Sequence, residues 1–172
     1  MQTDEQRKGT KFEIWLELLL NRQAHQNVLR NVEYHKERYL FRQVDLSYNF
    51  VDNGTIHLAI IEAKYSSGGR IPYKLRKGEV KKSGQLVPRI DNLVDELWER
   101  QQFVGAHAAC LVTNHSFDDQ VKAEAGKRRI DVVEGPALSQ LYLHLGGAGA
   151  IDDSINTINL GRHNLHKSTI YL

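Results

Sequence analysis

Three residues in the stretch "RQVDLSYNFVDNGTIHLAIIEAKYSS" (42–67) have types suited to phosphate chemistry: Asp45, Glu62 and Lys64. Asn53-Gly54 between β-type runs is the signature of a two-residue type I′ hairpin, whose central positions both need positive φ. With that turn, Asp52 pairs with Thr55, Asp45 falls opposite Glu62, and Gln43 falls opposite Lys64. Side chains alternate across a strand, so these four share one face. Val44 opposite Ala63 and Leu46 opposite Ile61 then make the other face a core surface. Directly opposed carboxylates repel each other unless they share a proton or a cation. One lysine supplies one positive charge. A divalent ion neutralises the pair better, so this face reads as a metal site. Mg²⁺ suits it, because it takes hard oxygen ligands, often one or two carboxylates with waters and phosphate oxygens.

The elements that must carry these residues read as α-β-β-β-α-β-α-β-α. Residues 1–9 are polar and are expected to be flexible. Helical spacing of Phe12, Trp15, Leu16, Leu19 and Leu20 predicts an amphipathic helix from Thr10. Strands are expected at 27–35, 39–51 and 55–66. The Gly- and Lys-rich segment 66–84 reads as a loop. A helix is expected within 86–103, a buried strand at 106–114 and a helix at 116–128 capped by Ser116. A short strand at 129–133 and a helix from Gly135 with Pro136 in its first turn complete the order. A hairpin section followed by β-α-β-α predicts an α/β domain, a mixed β-sheet with helices on both faces. The expected domain spans 10–145, and 146–172 is a tail or arm whose "STIYL" end adds a strand to a partner or to its own sheet.

Composition narrows the class. The chain has 172 residues, 41% hydrophobic and 26% charged, with a formal net charge of +2, as expected of one globular domain. No apolar run approaches the roughly 18 residues of a membrane span, and no signal-peptide core opens the chain. The expectation is therefore an intracellular, cytoplasmic protein without a membrane partner. The single Cys110 sits in an apolar run and reads as a buried structural thiol, and no Cys/His spacing suits zinc. Positive charge is concentrated after Lys64, in Arg70, Lys74, Arg76, Lys77, Lys81 and Lys82, against the single acid Glu79. A basic run beside an acidic site suits a nucleic-acid backbone.

The combination of Asp45 with Glu62-Ala63-Lys64 resembles the D…(D/E)xK core of the PD-(D/E)xK nuclease superfamily, the fold of many restriction endonucleases. Val44 stands where the family name has proline. "GTKFEIWLELL" resembles the helix that opens the Mrr-type restriction endonuclease domain and archaeal Holliday-junction resolvases, with Glu13 at its acidic position. "ACLVTNHSFDDQVKAEAGKRRIDVVEGPAL" is similar to the closing section of the Mrr-type domain. The resemblance implies a restriction-endonuclease-like fold and a Mg²⁺-dependent endodeoxyribonuclease, with Mn²⁺ able to substitute. Asp45, Glu62 and the Ala63 backbone carbonyl would bind the ion, Glu13 would complete the acidic shell, and Lys64 would hold the attacking water or offset charge. Gln85 is an auxiliary candidate, and the basic residues above are the DNA-binding candidates. The expected partners are DNA, a second copy in a homodimer, and a targeting protein. A branched-DNA resolvase and a DNA-binding subunit that depends on a partner remain alternatives. Two plainer readings also stand: a surface ion-pair cluster for the trio, and a capping box for Thr10-x-x-Glu13.

Overall fold

The computed structural model describes residues 2–76, 89–161 and 167–172. Helix α1 (Asp4–Arg22) leads into three long antiparallel strands, β1 (Gln26–Glu37), β2 (Leu40–Asp52) and β3 (Thr55–Lys64). A short β4 (Arg70–Ile71) precedes α2 (Leu93–Val104), β5 (Ala108–Thr113), β6 (Ser116–Phe117), α3 (Asp119–Lys127) and β7 (Asp131–Val133). Helices α4 (Gly135–His144) and α5 (Ile151–Asn156) and strand β8 (Ser168–Tyr171) close the described chain. The main sheet runs β7-β5-β3-β2-β1-β8. Its β1–β2 and β2–β3 pairs are antiparallel and its β3–β5, β5–β7 and β1–β8 pairs parallel. This is an α/β fold with a mixed six-stranded sheet flanked by helices.

Both sheet faces are covered. Leu93, Val94 and Leu97 of α2 and Val121 and Ala125 of α3 pack on one side with Val32, Val44, Ile60 and Leu111. On the other, Phe12, Trp15, Leu16, Leu19 and Leu20 of α1 join Leu138 of α4, Ile151 and Ile155 of α5, and Leu46, Ile61 and Val112 of the sheet. The helical spacing of the α1 residues places them in one stripe, and that stripe is the buried one. Among the described residues, no helix is long and apolar enough to cross a membrane.

The hairpin turn forms as read. Asn53 and Gly54 have φ of 49° and 76°, and Asp52 pairs with Thr55. Several boundaries differ from expectation. Helix α1 begins seven residues before Glu13's turn would suggest, capped by Thr3, whose hydroxyl accepts the Gln6 N–H while the Gln6 side chain accepts from Thr3 N. Residues 4–9 are thus helical rather than a flexible leader, and Thr10 lies inside the helix, donating to the Gln6 carbonyl at 3.0 Å. Ser116 is not a helix cap; it lies in β6, which pairs with β4 inside the segment expected to be loop. The tail also belongs to the domain. Trp15 donates its indole N–H to Ser154 at 3.0 Å, Ile155 is fully buried, and β8 lies parallel to β1 of its own sheet. A short apolar pattern such as "IDDSI" carries too few turns to stand out in sequence, but it has a partner once α1 is in place.

Candidate active site

The two carboxylates of the hairpin sit where its ladder ends. Pairing between β2 and β3 runs from Asp52↔Thr55 to Leu46↔Ile61 and stops there. Beyond it, Asp45 Oδ2 accepts the backbone N–H of Ala63 at 2.8 Å, so a side chain takes the place of a ladder bond and the strands part. The cause lies in a kink shared with β1. Arg30 pairs with Leu46, and Val32 pairs with Val44. Leu46 packs under α1, whereas Val44, two residues away, packs under α2. Likewise Arg30 reaches Glu17 of α1 at 3.6 Å while Val32 joins the α2 core. Alternation therefore slips by one residue in both strands between these pairs. Asn31 makes this possible by adopting φ of 55°, a left-handed conformation that asparagine tolerates, and its amide oxygen accepts from the Gln43 side chain.

This corrects the flat-ribbon geometry expected of the hairpin. Val44 and Leu46 do not line one core face, and Gln43 turns to Asn31 rather than to Lys64. The kink brings Asp45 to Glu13 of α1, with which it shares a hydrogen bond, while Glu62 acts on both through its charge. Glu62 is buried, and Asp45 and Glu13 are half-buried. Burial, then the charge of Asp45 and of Glu62, pushes the Glu13 carboxyl up to about 9 against the pull of Arg30. Burial and the Glu62 charge push Asp45 up to about 7, opposed by the Ala63 N–H, Arg100 and Lys64. Both shifts favour the protonated carboxyls, and a cation beside the acids would lower the same repulsion.

Two arginines that sequence reading passed over border the cluster. Arg100 of α2 bonds Glu62 Oε2 through Nη1 at 2.7 Å and reaches Glu96 through Nη2 at 3.1 Å. Lys64 Nζ stands 3.7 Å from Glu62 Oε1. Arg30 lies beside Glu13 and Glu17. The Glu96–Arg100 spacing was visible as an i,i+4 helical pair, but nothing in sequence places it under β3. Among the described residues, the acids Glu13, Glu17, Asp45, Glu62 and Glu96 face the cations Arg30, Lys64 and Arg100 around this point. Among the described residues, no three His, Cys, Asp or Glu side chains form a ready-made metal cage. Asp45 and Glu62 with phosphate and water oxygens fit Mg²⁺ better than a closed protein cage would.

Lys64 and Ala63 open onto a groove of about 610 Å³ between the first turns of α1, at Gln6 and Gly9, and the segment carrying Arg70, Lys74 and Arg76. Glu5 lines its α1 side. Arg70 and Lys74 are exposed and, among the described residues, make long ion pairs, each at 3.9 Å, to Asp119 and Asp91. Exposed pairs of this kind are worth at most about 1 kcal/mol and exchange readily for phosphate. Lys77, Lys81, Lys82 and Gln85 lie outside the described residues. The segment after Lys64 is anchored by Asn114, which takes the Ser66 N–H at 2.7 Å, donates to the Ser66 carbonyl at 2.8 Å and donates to Asp152 of α5 at 2.9 Å. The surface ion-pair reading of the trio does not hold for Glu62, which is 6% exposed.

No family model matches the chain, and no curated protein does. Among solved structures it is similar to a protein of unknown function, AF1548, with a TM-score of 0.57 and 14% identity over 80% of this chain and 66% of that one. Protein VC1899 from Vibrio cholerae gives a TM-score of 0.48 and 18% identity over 79% of this chain and 31% of that one. The chain thus spans less than two thirds of the length of either. At such identity the first likeness bears on the fold alone.

Proposed function

We propose that this chain is a divalent-cation-dependent DNA endonuclease of the PD-(D/E)xK type, with Mg²⁺ as its ion and Mn²⁺ as a substitute. The observation that carries the reading is the convergence of Glu13, Asp45 and Glu62 beside Lys64, which lines a groove that also carries Arg70, Lys74 and Arg76. Asp45, Glu62 and the Ala63 carbonyl would hold the ion, and Glu13 would complete the acidic shell. When bound, the ion supplies positive charge to a phosphoryl oxygen and to the leaving oxygen. Lys64 donates a hydrogen bond to the attacking water or to the phosphate as negative charge grows on it, in a site partly screened from solvent. Arg70, Lys74 and Arg76 hold the flanking phosphates and set the strand's direction past Lys64. A homodimer would cut both strands, and a targeting protein would supply sequence choice.

Incubating the chain with supercoiled plasmid and Mg²⁺, beside Glu62→Ala and Lys64→Ala, tests this. Wild type is expected to nick or linearise the plasmid, and each variant to lose on the order of 10²–10³-fold in rate. Variants that cut as fast as wild type would remove the assignment. A four-way junction in a parallel reaction separates a resolvase, which makes symmetric paired nicks, from a duplex endonuclease.

A further inference from the structure

Arg100 is largely shielded from solvent beside the acid cluster, with a 2.7 Å bond to Glu62 Oε2. Its second nitrogen is tied to Glu96 at 3.1 Å, so the guanidinium is fixed from two sides. Arg42 is bound in turn by Glu99 through its Nε and Nη2, so Glu99 is already engaged one position before Arg100. The guanidinium also acts on Asp45 through its charge. A divalent ion between Asp45 and Glu62 would therefore share Glu62 with a fixed positive charge.

We propose that Arg100 is a resident counter-ion that competes with the divalent cation for Glu62 and so holds the site's metal affinity down. This rests on the metal reading above and adds a regulator to it. Arg100 holds Oε2 at 2.7 Å and Lys64 Nζ stands 3.7 Å from Oε1, so an ion at Glu62 would share the carboxylate with both cations. Arg100 offsets the repulsion among the acids in the metal-free cluster, and it repels the ion that would share Glu62 with it. Like charges a few ångströms apart in a partly buried site interact strongly. Occupancy would then depend on added oxygen ligands, such as a phosphate in the groove, to tip the balance.

The test is Mn²⁺ binding by titration calorimetry at about pH 8, without DNA, on wild type, Arg100→Gln and Arg100→Lys. Removing the fixed charge is expected to tighten Mn²⁺ binding by about tenfold or more, ~1.4 kcal/mol. Arg100→Lys, which keeps the charge, is expected to stay within about threefold of wild type. A merely structural arginine would give the opposite result, since loosening Glu62 weakens binding. Thermal melts with and without Mn²⁺ cover the case in which Arg100→Gln is unstable alone: a larger Mn²⁺-induced rise than in wild type supports the proposal. Equal or weaker binding by Arg100→Gln overturns it while leaving the metal site standing. Absence of Mn²⁺ binding in wild type and in both variants overturns the metal reading and this inference together.

Discussion

The metal-free chain should become less stable as pH rises from about 7 to about 8.5, because the folded state keeps a proton that the unfolded chain has lost. Glu13 is held up to about 9 by burial and by Asp45 and Glu62, against 4.5 for an ordinary glutamate. Between those values the folded chain binds more protons than the unfolded one, so the stability this group contributes is fully present below pH 4.5 and is lost as pH rises through about 9. One proton over about 1.5 pH units corresponds to ~2 kcal/mol, and partial solvent access reduces it to about 1–2 kcal/mol. For a chain of this size that is a fall in Tm of roughly 2–8 °C. Glu13 dominates this window. Asp45, raised to about 7, is half ionised at its lower edge and finishes ionising inside the window, adding a smaller loss of the same sign that Glu13→Gln retains. His25, lowered by burial, acts below 6.5, and Cys110, pushed up to about 12, acts above 9. The assay is urea or thermal denaturation in EDTA at several pH values, with Glu13→Gln as the control. Wild type should lose stability with rising pH, Glu13→Gln should lose little, and added Mn²⁺ should reverse the wild-type trend. A flat wild-type profile, or the same slope in Glu13→Gln, would show that the acids do not repel one another as placed.

Two other outcomes follow from the groove and the tail. Replacing Arg70, Lys74 and Arg76 together by alanine should weaken DNA binding at all sequences and lower the salt slope of log K by roughly 2–3, measured by anisotropy across a salt series. Ile155, fully buried between α5 and α1, should cost ~2–4 kcal/mol on truncation to alanine, read by urea denaturation. A loss below about 0.5 kcal/mol would mean that α5 is only loosely attached.

The type of each long element and the hairpin turn were legible in the residues alone, because local rules govern them. Asn53-Gly54 admits positive φ at both positions, and the spacing of Phe12, Trp15, Leu16 and Leu19 suits one helical stripe. Alternation likewise marked Asp45, Glu62 and Lys64 as chemically unusual strand residues. What sequence reading assumed, an unbroken alternation through Val44, was wrong for a reason no local rule exposes. The slip there depends on Asn31 in a neighbouring strand, on Leu46 finding α1, and on Val44 finding α2. The capping-box reading of Thr10-x-x-Glu13 fell for a similar reason: a cap three residues into the chain moved the helix start, leaving Glu13 to meet Asp45. Arg30 and Arg100 were invisible as site residues because each belongs to an element remote in sequence from Glu62. Charge at a point is a sum over everything folded around it. The chain's own order determines which acids and bases exist, and only packing decides which of them share a few ångströms of poorly solvated space.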